Sequence, residues 1–261
     1  MNTLRLKNVT VPAFLACALA LNGCVFNVER ITTQKTGEIS SAGCTAASVD
    51  MGGKAGNITI NGIQDPIIRA TATVSEFMTR GSAAGPASDK FTVSVTNDSG
   101  VGTVGFSIAD DQNLWEQLRL EDVSLACLWI LGVSAKTTSG NITLYGIYGP
   151  ISLETTSGNV TADAESNCTI TVVSGNIDVT LFPSHFSRAT FATTSGNITV
   201  SLPPAFKANL SLSTTSGKID VPGNDKTRLN GGDSTVVITC TTKSGNITID
   251  GNWPGLHVQA N

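Results

Sequence analysis

Histidine, charge and aromatic rings are all scarce in this 261-residue sequence. Only His185 and His257 are available, which argues against a histidine-dependent metal centre or catalytic triad while leaving carboxylate chemistry open. Charged residues make up 14%, with a net charge of −4 and a pI near 5.1, so no basic stripe exists to neutralise phosphates and no nucleic-acid partner is expected. Aromatic residues are 5%. Past the amino terminus no apolar run is long enough to span a membrane. The run Val123–Val133 has 11 residues and reads as a buried strand. The chain is rich instead in Thr (34), Gly (26), Ser (25) and Asn (19). That mixture favours strands and turns over helices, and 40% hydrophobic residues suffice for a sizeable core.

Residues 1–23 read as a secretory leader: Arg5 and Lys7 without an acid, then an apolar stretch from Val9 to Leu21. The stretch ends in Leu21-Asn22-Gly23-Cys24, which resembles the bacterial lipobox. That resemblance implies cleavage before Cys24, acylation of Cys24 with palmitate among its chains, and stable membrane anchoring by several acyl groups. Val25 in place of Asp after the cysteine implies that an outer-membrane destination is allowed. Loss of Arg5 and Lys7 leaves 14 basic against 20 acidic side chains, a net charge of −6. An anchor of lipid, not of lysines, suits that acidity.

Self-similarity dominates the carboxyl half. The motif recurs as Ser139-Gly140-Asn141-Ile142, Ser157-Gly158-Asn159-Val160, Ser174-Gly175-Asn176-Ile177, Ser195-Gly196-Asn197-Ile198, Ser216-Gly217-Lys218-Ile219 and Ser244-Gly245-Asn246-Ile247. Spacings are 18, 17, 21, 21 and 28 residues. Four residues before each Ser stand Ala135, Leu153, Ile170, Phe191, Leu212 and Cys240. Two residues before it stand Thr137, Thr155, Val172, Thr193, Thr214 and Thr242. These columns share one face of a strand, and period-two alternation resumes after the turn. Each copy is therefore strand, Gly-centred corner, strand. One copy cannot bury its apolar face alone, whereas stacked copies form a continuous core with equivalent residues about 4.8 Å apart. Glycine supplies the positive φ of the corner, and Asn supplies an amide ladder that Lys218 interrupts. The expected fold is all-β, a single-chain β-solenoid with coils of about 18–21 residues.

Weaker echoes stand at Thr36-Gly37-Glu38-Ile39 and Ala55-Gly56-Asn57-Ile58. Strand-like runs cover 57–61, 67–74 and 91–96, and a surface loop covers 81–86. Leu114, Trp115 and Leu118 suggest a short amphipathic cap helix over 110–119. The 28-residue interval, with Gly223-Asn224-Asp225-Lys226 and Asn230-Gly231-Gly232-Asp233, reads as a loop inserted between coils. The expected organisation is thus leader 1–23, linker and first weak repeat 24–39, solenoid 40–250 with regular coils from 133, and a carboxyl tail or cap 251–261.

The segment Thr137–Val160 combines Ser-Gly-Asn-Ile, then Gly146-Ile147-Tyr148-Gly149-Pro150-Ile151, then Thr-Thr-Ser-Gly-Asn-Val. It resembles the putative-adhesin domain of bacteria, a domain of unknown function, over residues 50–250. The resemblance implies a right-handed β-solenoid (β-helix) exported to the envelope, and it implies no catalytic residues.

Cys44, Cys127, Cys168 and Cys240 remain beyond the leader and the lipid site, and four cysteines allow three pairings. Cys168 and Cys240 both face inward. They lie three coils apart, about 14 Å along the axis and beyond the roughly 7 Å limit for a bridge, so no Cys168–Cys240 disulfide is expected. Asp163, Glu165, Asp178, Asp220 and Asp250 follow the turns and form an acidic strip or simply a solvated face. The outward Thr, Ser and Asn columns keep the solenoid soluble and also form a regular hydroxyl and amide array able to engage glycans or a protein surface. The expected function is a non-catalytic, lipid-anchored protein of the bacterial cell envelope, facing outward or into the periplasm, acting as an adhesin or surface-binding module. A self-assembling scaffold is the alternative and a polysaccharide-acting β-helix enzyme the third. No cofactor or metal is expected. Candidate positions are Cys24 for lipidation and Gly140, Asn141, Gly158, Asn159, Gly175, Asn176, Gly196, Asn197, Gly217, Gly245 and Asn246 for the corners.

Overall fold

A computed structural model describes residues 9–10, 20–21, 24–25, 28–79, 86–108, 118–182, 187–203, 208–221, 236–250 and 257–260. Most of the leader, the side chain of Cys24, the helix expected over 110–119 except its last two residues, and the inserted loop at 222–235 lie outside them. Two-residue strands β1 (Val9–Thr10), β2 (Ala20–Leu21) and β3 (Cys24–Val25) precede β4 (Val28–Ser40), β5 (Ala46–Asp50), β6 (Asn57–Ile63) and β7 (Ile67–Thr79). A hairpin of β8 (Phe91–Asp98) and β9 (Val101–Ile108) leads to β10 (Arg119–Leu128). Six pairs follow: β11 (Gly132–Ser139) with β12 (Ile142–Ile147), β13 (Ile151–Ser157) with β14 (Val160–Ala164), β15 (Cys168–Ser174) with β16 (Ile177–Leu181), β17 (Arg188–Ser195) with β18 (Ile198–Ser201), β19 (Asn209–Ser216) with β20 (Ile219–Asp220), and β21 (Val237–Ser244) with β22 (Ile247–Asp250). β23 (His257–Ala260) pairs with β19.

Each pair is one coil. Its first strand joins a 10-stranded sheet and its second an 11-stranded sheet, and the strands of successive coils are parallel and in register. In β13 the inward residues Ile151, Leu153 and Thr155 are buried while Ser152, Glu154 and Thr156 are exposed, the alternation that the sequence predicts. Inward ladders such as Ile58–Ile142–Val160–Ile177–Ile198–Ile247 run the length of the stack. Each rung buries a side chain worth about 1.5–3 kcal/mol, but only while its neighbours are present. The fold is a β-solenoid, as expected.

Chain order and stack order agree only in the middle. The last pair, β21/β22, lies between β17/β18 and β19/β20, because β17 pairs with β21 and β21 with β19. After β20 the chain thus takes the rung on the inner side of β19/β20, so that β21 pairs with β19 and β22 with β20. The other end is permuted likewise: β9 and β10 stack outside β5 and β6, which sit against β11 and β12. That end is also partly antiparallel, since β4 pairs with β7 over its full 13 residues and β7 with β10. Residues 28–39, expected as linker and weak repeat, are thus sheet. Gly37 is not a corner but a mid-strand residue, where a Cβ would stand 2.7 Å from the Val93 carbonyl. The apolar run Val123–Val133 is likewise divided, with β10 ending at Leu128 and a turn at Trp129–Leu131 leading into β11.

Candidate functional site

Each coil turns between sheets at two corners of different chemistry. At the first, Asn57, Asn141, Asn159, Asn176, Asn197 and Asn246 form a continuous ladder. The Asn57 Oδ1 accepts from the Asn141 backbone N–H at 2.9 Å, and the pattern repeats through Asn159, Asn176, Asn197 and Asn246 at 2.8–2.9 Å. The last bond runs from the Lys218 N–H to the Asn246 Oδ1 at 2.8 Å. Lys218 therefore ends the ladder instead of interrupting it, since among the described residues no strand stacks beyond β20 in its sheet. Asn57, in the Ala55-Gly56-Asn57-Ile58 echo, begins it, and its Nδ2 donates to Asp122.

The glycines at this corner are held by their neighbours' backbone. Gly158 has φ +149°, and a Cβ there would stand 2.0 Å from the Gly140 carbonyl oxygen. Gly140, Gly175, Gly196 and Gly245 meet the same obstruction, as does Gly217 against Gly245. The inward Thr column completes the corner. Thr137, Thr155, Thr193, Thr242 and Thr214 donate to the carbonyls of Gly56, Gly140, Gly175, Gly196 and Gly245 at 2.9–3.2 Å. These polar groups bond one another, which makes the corner a structural spine.

The second corner returns the chain from the 11-stranded to the 10-stranded sheet and has no repeated residue. The Tyr148 N–H donates to the Trp129 carbonyl at 2.7 Å. Ile147 pairs with Ala164 and Ala164 with Leu181, so Tyr148, Glu165 and Phe182 follow at equivalent positions. Trp129, Tyr148, Glu165 and Phe182 thus form one column on successive rungs, about 4.8 Å apart. The Trp129 and Tyr148 rings meet edge to face, with centroids 4.7 Å apart. The adjacent Glu165 carboxylate, by its charge and by the hydrogen bond it accepts, holds the Tyr148 hydroxyl above the ordinary tyrosine pKa. Three of the four members are large exposed rings, with Trp129 37%, Tyr148 41% and Phe182 41% exposed. Nothing in the repeat marks this column. The available signal was rarity, for both tyrosines of the chain fall at 145 and 148, close after Trp129.

The acidic strip does not converge. Asp178 shares a row with Thr161 and Thr199, and Asp163 lies on another row beside Thr180. Asp220 and Asp250 stand on the last two rungs in different rows. No group of three His, Cys, Asp or Glu suited to a metal ion occurs among the described residues. Cys44, Cys127, Cys168 and Cys240 are unpaired. The stack order places Cys168 and Cys240 two coils apart, not three, about 10 Å along the axis and still too far to bridge. Burial pushes the thiols of Cys127, Cys168 and Cys240 up to about 12, so they are unreactive core residues.

Parallel two-sheet coils joined by glycine-asparagine corners define a single-chain β-solenoid. The model of the Toastrack DUF4097 family matches residues 27–250, and the chain belongs to that family. No curated protein matches it. Among solved structures it is similar to a putative cell adhesion protein from Clostridium sporogenes, at 11% identity over 85% of this chain and 100% of that one, with a TM-score of 0.45. It is also similar to a putative adhesin from Bacteroides fragilis, at 12% identity over 83% of this chain and 97% of that one, TM-score 0.33. A third is a putative lipid binding protein from Parabacteroides distasonis, at 14% identity over 83% of this chain and 96% of that one, TM-score 0.35.

Proposed function

We propose that this chain is a non-catalytic lipoprotein of the bacterial cell envelope that presents a rigid solenoid as a surface-binding module, in the manner of an adhesin. Cys24 carries the lipid, and the strand β4 begins four residues later. The observation that carries the reading is the division of labour in each coil. Inward columns are saturated by packing and hydrogen bonds, while outward rows such as Ser134–Ser152–Thr169–Thr190–Thr239 are held in register by the parallel ladders. A regular outward array on a stiff frame is preorganised for contact, so little ordering entropy is lost on binding. The dispersed carboxylates favour binding over hydrolysis, because general acid and base groups must converge on one bond.

The test has two arms. Cells expressing the full chain are labelled with palmitate, and the protein is expected to take up label and remain with membranes, whereas Cys24→Ser does neither. The soluble Cys24→Ser protein is then screened against glycans and host-surface proteins, where saturable binding is expected. Absence of label on the wild type overturns the anchor, and absence of binding to every glycan and protein overturns the binding role.

A further inference from the structure

The second corner carries more exposed ring surface than packing requires. Among the described residues seven large hydrophobic side chains are exposed, and five of them, Trp129, Ile130, Tyr145, Tyr148 and Phe182, lie along this corner or beside it on β12. In a chain with 5% aromatic residues this concentration points to a ligand.

The backbone fixes the rings. A Cβ at Gly149 would stand 2.1 Å from the Leu131 carbonyl oxygen, so the turn after Tyr148 sits directly on the turn after Trp129. A Cβ at Gly62 would stand 1.7 Å from the Gly146 carbonyl oxygen and 3.2 Å from the Trp129 Cβ, so the glycine there admits the chain crossing that bears Trp129. Four rungs at about 4.8 Å give a strip about 14 Å long, in the order ring, ring, carboxylate, ring.

A sugar offers C–H faces that stack on aromatic rings and hydroxyls at its edge that bond carboxylates. An extended glycan offers both repeatedly along a line. Charge narrows the class: the rungs at 129–131, 148–150, 165–167 and 182 carry Glu165 and no lysine or arginine. On a chain of net charge −4, that corner repels polyanions. A protein partner needs about 800 Å² on each side, several times what a strip about 14 Å long, widened by Ile130 and by Tyr145 on β12, supplies.

We propose that the Trp129–Tyr148–Glu165–Phe182 column binds an uncharged glycan laid along the solenoid axis. The three rings stack on sugar faces, and the Glu165 carboxylate accepts from sugar hydroxyls. The site rests on the surface-binding reading and gives it a place and a ligand class.

Full-length Cys24→Ser protein is run in affinity gels containing dextran, β-glucan or α-mannan, with alginate as the anionic control. At least one neutral polymer is expected to retard it and alginate is not. Trp129→Ala and Tyr148→Ala are expected to weaken that binding tenfold or more and Phe182→Ala severalfold, while Val173→Ala, on the exposed face of β15, leaves it unchanged. Native melting confirms each fold. Should Trp129→Ala unfold, a Trp115→Phe/Trp253→Phe variant reads the same contact, since Trp129 emission shifts on binding. Two results overturn the site: no neutral polymer binds, or binding survives both Tyr148→Ala and Phe182→Ala. In either case, binding to host proteins or to glycans elsewhere on the surface leaves the broader reading standing. Its absence as well removes both.

Discussion

The two corners of each coil perform the same turn with opposite sequence habits. The first uses Gly, Asn and Thr again and again, and those groups are consumed by one another: amide oxygen to backbone N–H, hydroxyl to carbonyl, glycine against glycine. The second changes at every rung, from Trp129-Ile130-Leu131 to Tyr148-Gly149-Pro150 to Glu165-Ser166-Asn167, and leaves Trp129, Ile130 and Tyr148 exposed to solvent. Repetition in a solenoid therefore marks the frame. The positions that escape repetition are free to meet something else.

The sharpest way to break this contrast is at the glycine spine. Gly158→Ala places a Cβ against the Gly140 carbonyl at a φ that alanine rarely adopts, and the loss of stability is expected to reach about 3 kcal/mol in urea unfolding. A loss well under 1 kcal/mol would mean that the corner relaxes and is no spine.

The Asn ladder separates internal rungs from the terminal one. Asn159→Ala strips the acceptor from the Asn176 N–H and should cost about 1 kcal/mol. Lys218→Ala at the end rung should change stability by no more than about 0.5 kcal/mol, its ion pair with Asp220 being exposed and 3.5 Å long. Equal losses from the two variants would contradict the stack order. The Thr column supplies a matched pair that ends on the smallest effect. Thr155→Val removes the hydroxyl bond to Gly140 for about 1 kcal/mol, whereas Val172→Thr supplies the hydroxyl that its rung lacks and should come out near neutral by the same unfolding measurement.

The coils themselves were legible in the sequence. Period-two alternation around Ser-Gly-Asn assigns the inward residues of β11 to β22 because a strand has only two faces. The start of the ladder was legible too, in the echo at Asn57. Gly37 misled, because glycine serves close approach between sheets as well as corners, and a tetrapeptide does not distinguish the two uses. Lys218 looked like a defect because chain order was taken for stack order.

Sequence alone determined the class of fold, the coil length and which side chains face the core, since these follow from local periodicity and from the backbone freedom of glycine. Only the tertiary structure decided the order of the coils at both ends, because any parallel strand with the same repeat can occupy the same rung and the choice depends on which edge is open when the chain returns. That order put Lys218 last on the ladder, and the crossing at Trp129 began the aromatic column. Neither position is marked by the repeat.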